Sequence, residues 1–122
     1  MEKRKLTYSY CQVLGINQTK GRTFGQMLQE MAERYPEHTA IIFQNQQYTY
    51  REFQAAVDSF ALALFDLGLT RGDKLGLLLP DWPEYSIALY ACAKMGVVVS
   101  PMNPIYRRME VLTVLNHLEA KA

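Results

Sequence analysis

Leu75-Gly76-Leu77-Leu78-Leu79-Pro80 and Val97-Val98-Val99-Ser100-Pro101 are two apolar runs, each closed by a proline, with one helical pattern between them. The first run is continuous rather than alternating, which suits a strand covered on both faces. The second is β-branched and bounded in the same way. Asp81 and Glu84 can cap the intervening helix, with Pro83 in its first turn. Ile87, Ala88, Ala91, Cys92 and Met95 are its apolar positions, and Gly96 is placed to end it in the left-handed conformation. Strand, helix, strand without room for a reversal is a βαβ unit, so the strands are parallel and the crossover right-handed.

Upstream, Thr70-Arg71-Gly72-Asp73 is a turn, and before it stands a long amphipathic helix. Thr49 and Glu52 have capping-box spacing at its start. Phe53, Ala56, Val57, Phe60, Ala61, Leu64 and Leu67 form its stripe, and Gly68 its left-handed cap, with Leu69 able to touch Leu64. Ala40-Ile41-Ile42-Phe43 and Tyr48-Thr49-Tyr50 flank the polar turn Gln44-Asn45-Gln46, the pattern of a hairpin. A second capping box, Thr23 to Gln26, opens an earlier helix with Phe24, Met27, Leu28, Met31 and Tyr35 on one side and Pro36 as its stop.

Residues 1 to 22 show no clean periodicity and read as an irregular lead-in, with one short strand around Tyr8–Leu14. Downstream, Asn103-Pro104 is a turn, and Glu110 to Glu119 is a last helix, apolar at Val111, Leu112, Val114, Leu115 and Leu118. The expected fold is α/β, with layered helices on a mainly parallel sheet and a hairpin near residues 40 to 50. Alternation of strand and helix calls for another strand after Ala120, so the chain is expected to be the front of a longer reading frame.

Composition narrows the function classes. The 122 residues (14.0 kDa) are 49% hydrophobic and 20% charged, a composition that folds. Thirteen basic against twelve acidic residues leave a net charge of +1, which argues against a general nucleic-acid or anionic-membrane binder. The basic surplus is local: Lys3, Arg4, Lys5, Lys20 and Arg22 precede residue 23 with only Glu2 against them. Cys11 and Cys92 make no disulfide framework and no metal-spaced cluster with His38 or His117. Asp81, Glu84 and Lys94 interrupt the most apolar stretch, so nothing reads as a membrane span. The N-terminus lacks a signal-peptide core. A cytoplasmic location is the expectation.

The search for chemistry comes back almost empty. Gly68, Gly72 and Gly76 match neither a dinucleotide fingerprint nor a phosphate loop. Asp81 and Glu84 have capping rather than acid–base spacing. His117 reads as a solvated helix residue and His38 as part of a turn, while Ser86 and Ser100 have no histidine nearby in sequence. Trp82, Tyr85 and Tyr90 together suggest a platform for a flat ligand, against which Tyr90 reads as core and Trp82, at a strand-to-helix turn, as the rim of a pocket. Arg107 and Arg108 read as a solvated pair at a helix start.

The order of segments resembles the N-terminal part of the adenylate-forming acyl-CoA synthetases, the AMP-binding superfamily shared with luciferases and peptide-synthetase adenylation domains. Tyr48-Thr49-Tyr50-Arg51-Glu52-Phe53 is similar to the family's first core motif. Gly68-Leu69-Thr70-Arg71-Gly72-Asp73-Lys74-Leu75 resembles its G-x-x-x-G-D-x-V turn. Ala93-Lys94-Met95-Gly96-Val97-Val98-Val99-Ser100-Pro101 resembles the second core motif, continued by Met102-Asn103-Pro104-Ile105-Tyr106. Phe53, Met95 and Ser100 are small departures from the usual residues. The Pro-x-Asn-Pro-x-Tyr form resembles fatty-acyl and aryl acid CoA ligases, whereas peptide-synthetase domains usually carry an aspartate where Asn103 stands.

The resemblance implies an acid–thiol ligase acting on a carboxylic acid, a medium- or long-chain fatty acid by preference. Such an enzyme uses ATP, Mg2+ and coenzyme A and passes through an acyl-adenylate. It also implies that the phosphate loop, nucleotide contacts, acyl pocket and catalytic lysine lie downstream. No catalytic, cofactor-binding or metal-binding residue is therefore assigned in this chain, and the segment alone is expected to bind no cofactor and to be inactive. Residues 1–22 are the lead-in, and 23–122 the N-terminal portion of the adenylate-forming domain, incomplete at its C-terminal end. Its partners would be the rest of its own chain and, in the whole enzyme, acid, ATP and CoA, not nucleic acid. Self-association and peripheral membrane contact are left open. A stand-alone binding or regulatory module and an adenylation domain of peptide synthesis are the rival readings.

Overall fold

The computed structural model describes residues 23–122. The lead-in, its short strand around Tyr8–Leu14 and Cys11 lie outside the described residues. Eight elements follow one another: α1 (Phe24–Arg34), β1 (Thr39–Phe43), β2 (Gln46–Thr49), α2 (Tyr50–Asp66), β3 (Lys74–Leu77), α3 (Pro83–Met95), β4 (Val98–Pro101) and α4 (Arg108–Leu118).

Local chemistry starts the first two long helices. Thr23 Oγ1 accepts from the Gln26 amide at 3.2 Å while the Thr23 amide donates to Gln26 Oε1 at 2.9 Å. Thr49 and Glu52 repeat the arrangement at the head of α2. Both satisfy donors that a helix start leaves unpaired. At the tail of α2 the Leu69 amide reaches the Leu64 carbonyl (3.1 Å) and the Gly68 amide the Phe65 carbonyl (2.8 Å), with Gly68 at φ 88°. Gly96, at φ 73°, closes α3 in the same way, the Val97 amide donating to the Cys92 carbonyl at 2.9 Å.

β3 and β4 pair in parallel, Lys74 opposite Val98 and Leu77 opposite Pro101, as the βαβ reading requires. β1 and β2 form a separate antiparallel hairpin. On the opposite edge of β3 the Lys121 amide donates to the Lys74 carbonyl and the Gly76 amide to the Ala122 carbonyl, both at 2.8 Å. After α4 the backbone thus returns to the sheet alongside β3.

Layers follow from burial. Leu75 and Leu77 face Leu64, Leu69, Ala88, Cys92 and Val97, so one face of the sheet lies under α2 and α3. The other face lies under α4, and Gly76 makes that approach possible: a Cβ there would stand 2.4 Å from Leu115 Cδ2. A second cluster, Leu28, Phe53, Val57 and Ala91, joins α1 to the outer side of α2 and α3, with Ala40 and Ile41 of the hairpin against it.

Four details differ from the sequence reading. β3 ends at Leu77, not Leu79, because its partner ends at Pro101 and leaves Leu78 without a ladder neighbour. The hairpin turn is Gln44-Asn45, with Gln44 at φ 52°, and Gln46 already belongs to β2. The cap of α3 is Trp82 rather than Asp81, since Pro83 takes the first helical position; Trp82 makes no side-chain capping bond. The apolar stripe of α2 is narrower than its sequence, with Leu67 73% exposed and Phe60 37%.

Candidate functional site

In an open parallel sheet the crevice beyond the carboxyl ends of the strands is where ligands gather. Here that edge carries the loops after β3 and β4. After β4, the Asn103 side chain accepts from the Ile105 amide (3.0 Å) and its carbonyl from the Tyr106 amide (2.9 Å). Asn103 is thereby committed to its own turn, while Ile105 is left exposed.

After β3, Trp82 sits at the rim of a cleft of about 260 Å³, as its place at a strand-to-helix turn led us to expect. The opposite wall comes from the hairpin: Phe43, whose ring centroid lies 6.3 Å from that of Trp82, and Tyr48, whose hydroxyl donates to Gln46 Oε1 at 3.0 Å. These hairpin residues were not singled out in the sequence, because only the fold carries them to the head of α3. Glu84 is the charged residue of the lining.

A larger, mostly apolar groove of about 380 Å³ runs between α2 and α3, lined by Asp58, Ala61, Leu62, Phe65, Lys94 and Met95. The Lys94 ammonium is paired with Asp58 at its mouth. Burial pushes the Asp58 carboxyl up, but hydrogen bonds from Lys94 and Gln54 and the Lys94 charge outweigh that and hold it below its ordinary range. Gln54 Oε1 is buried without a partner among the described residues.

The remaining candidates stay apart. Asp81 and Glu84 are both exposed, and His38 stacks on Tyr35 in its turn, with ring centroids 5.1 Å apart. His117 is exposed on α4, and Ser86 and Ser100 are half-buried. Tyr85 packs on the core, and Tyr90 stands edge-on to Phe53 at 5.3 Å and to Phe24 at 6.0 Å. Arg107 and Arg108 are exposed, the Arg107 amide donating to Glu110. Cys92 is fully buried, and desolvation pushes its thiol up, away from reactivity. Among the described residues no group of three or more His, Cys, Asp or Glu is placed to hold a metal ion.

Nor do these residues fit a nucleotide phosphate. The head of α3 offers a proline, without an N–H, followed by the Glu84 carboxylate. The Arg107 amide at the head of α4 is already taken by Glu110. What the arrangement supplies is a wound α/β frame with the loops after β3 and β4 at the carboxyl edge of its parallel strands.

In fold that frame is similar to part of the N-terminal subdomains of adenylation domains. The chain belongs to the AMP-binding enzyme family, whose model matches residues 28–122. It is 34% identical over 96% of its length to the medium-chain acyl-CoA ligase ACSF2, mitochondrial, of Danio rerio. It is 32% identical over 76% to a medium-chain fatty-acid–CoA ligase of Escherichia coli. The chain spans about a fifth of these relatives, 20% and 17%. Among solved structures it is similar to the inhibitor-bound N-terminal domain of FACL13 from Mycobacterium tuberculosis (TM-score 0.79, 29% identity, 83% of this chain and 26% of that one). It is also similar to the N-terminal subdomain of Klebsiella oxytoca NpsA in complex with anthranilyl-AMSN (TM-score 0.77, 27% identity, 82% and 26%).

Proposed function

We propose that this chain is the N-terminal segment of an ATP-dependent acyl-CoA synthetase acting on a medium- or long-chain fatty acid. The observation that carries the reading is the 34% identity to a medium-chain acyl-CoA ligase across 96% of the chain. In the whole enzyme the carboxylate attacks the α-phosphorus of ATP to give acyl-AMP and pyrophosphate, and a bound Mg2+ would supply screening of the phosphate charge. The thiol of CoA then attacks the acyl carbon and AMP leaves. Adenylation supplies the leaving group that a bare carboxylate lacks.

The part of the described residues is mechanical. Gly68, Gly96 and the two capping boxes fix the frame on which the catalytic elements are mounted, and the segment alone would turn over nothing. Exposed apolar side chains on α2 (Leu62, Phe65) and around α4 (Ile105, Met109) favour a segment whose faces are covered in the whole enzyme over a self-sufficient binding module. We place the whole enzyme in the cytoplasm, a reading that cell fractionation would test.

The fold likeness to NpsA keeps a second reading alive, adenylation without transfer to CoA. One experiment separates the two: the full-length product is given octanoate, palmitate or an aryl acid with ATP, and both pyrophosphate exchange and acyl-CoA formation are followed. Fatty-acid-dependent exchange with thioester formation supports the proposal. Exchange with aryl or amino acids and no thioester overturns it in favour of the second reading.

A further inference from the structure

Trp82 is 54% exposed, yet it stands in a concavity and not on a flat surface. The cleft of about 260 Å³ that it rims has three aromatic walls from three elements: Phe43 on β1, Tyr48 on β2 and Trp82 at the head of α3. The ring planes of Phe43 and Trp82 lie at 49° with their centroids 6.3 Å apart, which leaves a wedge between two π systems. A positive charge within about 6 Å of such a centroid is attracted by the ring quadrupole.

Charge points the same way. Glu84 is the charged residue of the lining, its carboxylate makes no ion pair among the described residues, and neither lysine, arginine nor histidine lines the cleft. Tyr48 gives its hydroxyl proton to Gln46 Oε1 at 3.0 Å, so its oxygen is left as an acceptor. Pro83 removes an N–H from the helix start beside it, so an anion finds little there. Glu84 also complements the α3 dipole, which accounts for its charge but not for three rings brought to one cleft.

Independently of the proposed activity, we propose that this cleft binds the quaternary ammonium group of a small free solute. A quaternary nitrogen has no N–H to satisfy and spreads its charge over methyl groups, so aromatic faces and one carboxylate meet its needs. A primary ammonium is more strongly hydrated and loses more on entering an aromatic cleft. The volume, just below that of drug-sized pockets, suits a ligand of headgroup size.

The full-length product, labelled with fluorotryptophan, is titrated with choline chloride at constant ionic strength, and the Trp82 fluorine resonance is assigned by its loss in Trp82→Phe. That resonance should move saturably. Choline should bind about tenfold tighter than the neutral alcohol in which carbon replaces its nitrogen, and tighter than ethanolamine. Phe43→Leu keeps an apolar wall without the π face and should weaken choline about fivefold while leaving the neutral alcohol as it was. Glu84→Gln should separate the two ligands in the same direction, and unchanged binding of the alcohol shows that the cleft still stands. None of these readouts needs acid, ATP or CoA, so a failure here leaves the proposed activity untouched. No saturable shift, equal binding of choline and the alcohol, tighter binding of ethanolamine, or variants that weaken both ligands alike overturn the proposal. So does a shift with phosphatidylcholine vesicles but not with choline, which would give the cleft to a membrane surface.

Discussion

Helices α3 and α4 both bring the chain back to the parallel sheet, α3 from β3 to β4 and α4 from β4 to the backbone of Lys121 and Ala122 beside β3, yet they are built differently. α3 buries Pro83, Ala88, Ala91 and Cys92, whereas α4 has no buried residue at all. α3 is packed on two sides, against the sheet through Ala88 and Cys92 and against α1 and α2 through Ala91. Small side chains let its axis come close to both neighbours. α4 touches the sheet on one side only, where Leu115 lies over Gly76. The same crossover can thus be a core element or a lid, and the neighbours on its outer side decide which.

The largest expected effect tests that contrast across β3. Leu77 is 6% exposed and points toward α3, so Leu77→Ala should cost about 3 kcal/mol. Leu115→Ala, on the half-covered face, should cost about 1 kcal/mol, since most of its surroundings can relax into solvent. Urea midpoints at unchanged m-value measure both. Equal costs would mean that the α4 face is as well packed as the α3 face, and the contrast would be gone.

Next comes the hinge between α3 and β4. Gly96 sits at φ 73°, and an added Cβ would meet Arg71 Cγ at 2.9 Å. Gly96→Val should destabilise the chain by about 1–2 kcal/mol, because a β-branched residue is strained in the left-handed region. Gly96→Asn should recover part of that loss. A valine variant with the parental thermal midpoint would show that the turn can re-form without positive φ.

How much of this was legible beforehand depended on the range of the interaction. The capping boxes at Thr23 and Thr49 and the glycine ends at Gly68 and Gly96 are decided within six residues, and the sequence spelled them out. The βαβ unit was legible because a parallel strand pair needs a crossover and only one was available. Strand length was not, since Leu78 and Leu79 are as apolar as Leu77 but have no partner beyond Pro101. Trp82 could be read as a pocket rim from its own position, but its opposite wall, Phe43 and Tyr48, comes from a hairpin that pairs elsewhere. The α2–α3 groove was invisible for the same reason: which side of Leu62 and Phe65 stays open is settled by the helix beside them.

A smaller effect should appear with pH at the turn where the chain returns to β3. Asp73 Oδ2 accepts from Lys121 Nζ at 2.8 Å and from the amide and hydroxyl of Thr70 at 2.7 and 3.1 Å. The Lys121 bond first, and the Thr70 bonds after it, hold the carboxyl below its ordinary value. A depressed folded pKa means the stabilisation is whole above the unfolded value, near pH 4, and disappears as pH falls through the folded one. Asp73→Asn should therefore be less stable than the parent at pH 7, with the gap closing below about pH 4. A gap that is constant with pH would assign the loss to geometry rather than charge.

The smallest effect concerns the end of α4, which has the same cap as α2 and α3 without their glycine. Glu119 stands at φ 53°, ψ 46°, with its amide donating to the Asn116 carbonyl at 3.2 Å and the Ala120 amide to the Leu115 carbonyl at 3.0 Å. Two things are unfavourable there. A side chain with a Cβ in the left-handed region costs about 1 kcal/mol, and a carboxylate at a helix C-terminus opposes the dipole by a few tenths more. Glycine removes both but gives the unfolded chain extra freedom, which takes back about 0.5–1 kcal/mol. Glu119→Gly should leave a net gain of about 0.5 kcal/mol, read as a rise of a few degrees in thermal midpoint. Glu119→Ala removes the charge and keeps the Cβ, so it should gain only the dipole part. If alanine matches glycine, the backbone at position 119 is unstrained, and α4 frays at its end instead of closing like α3.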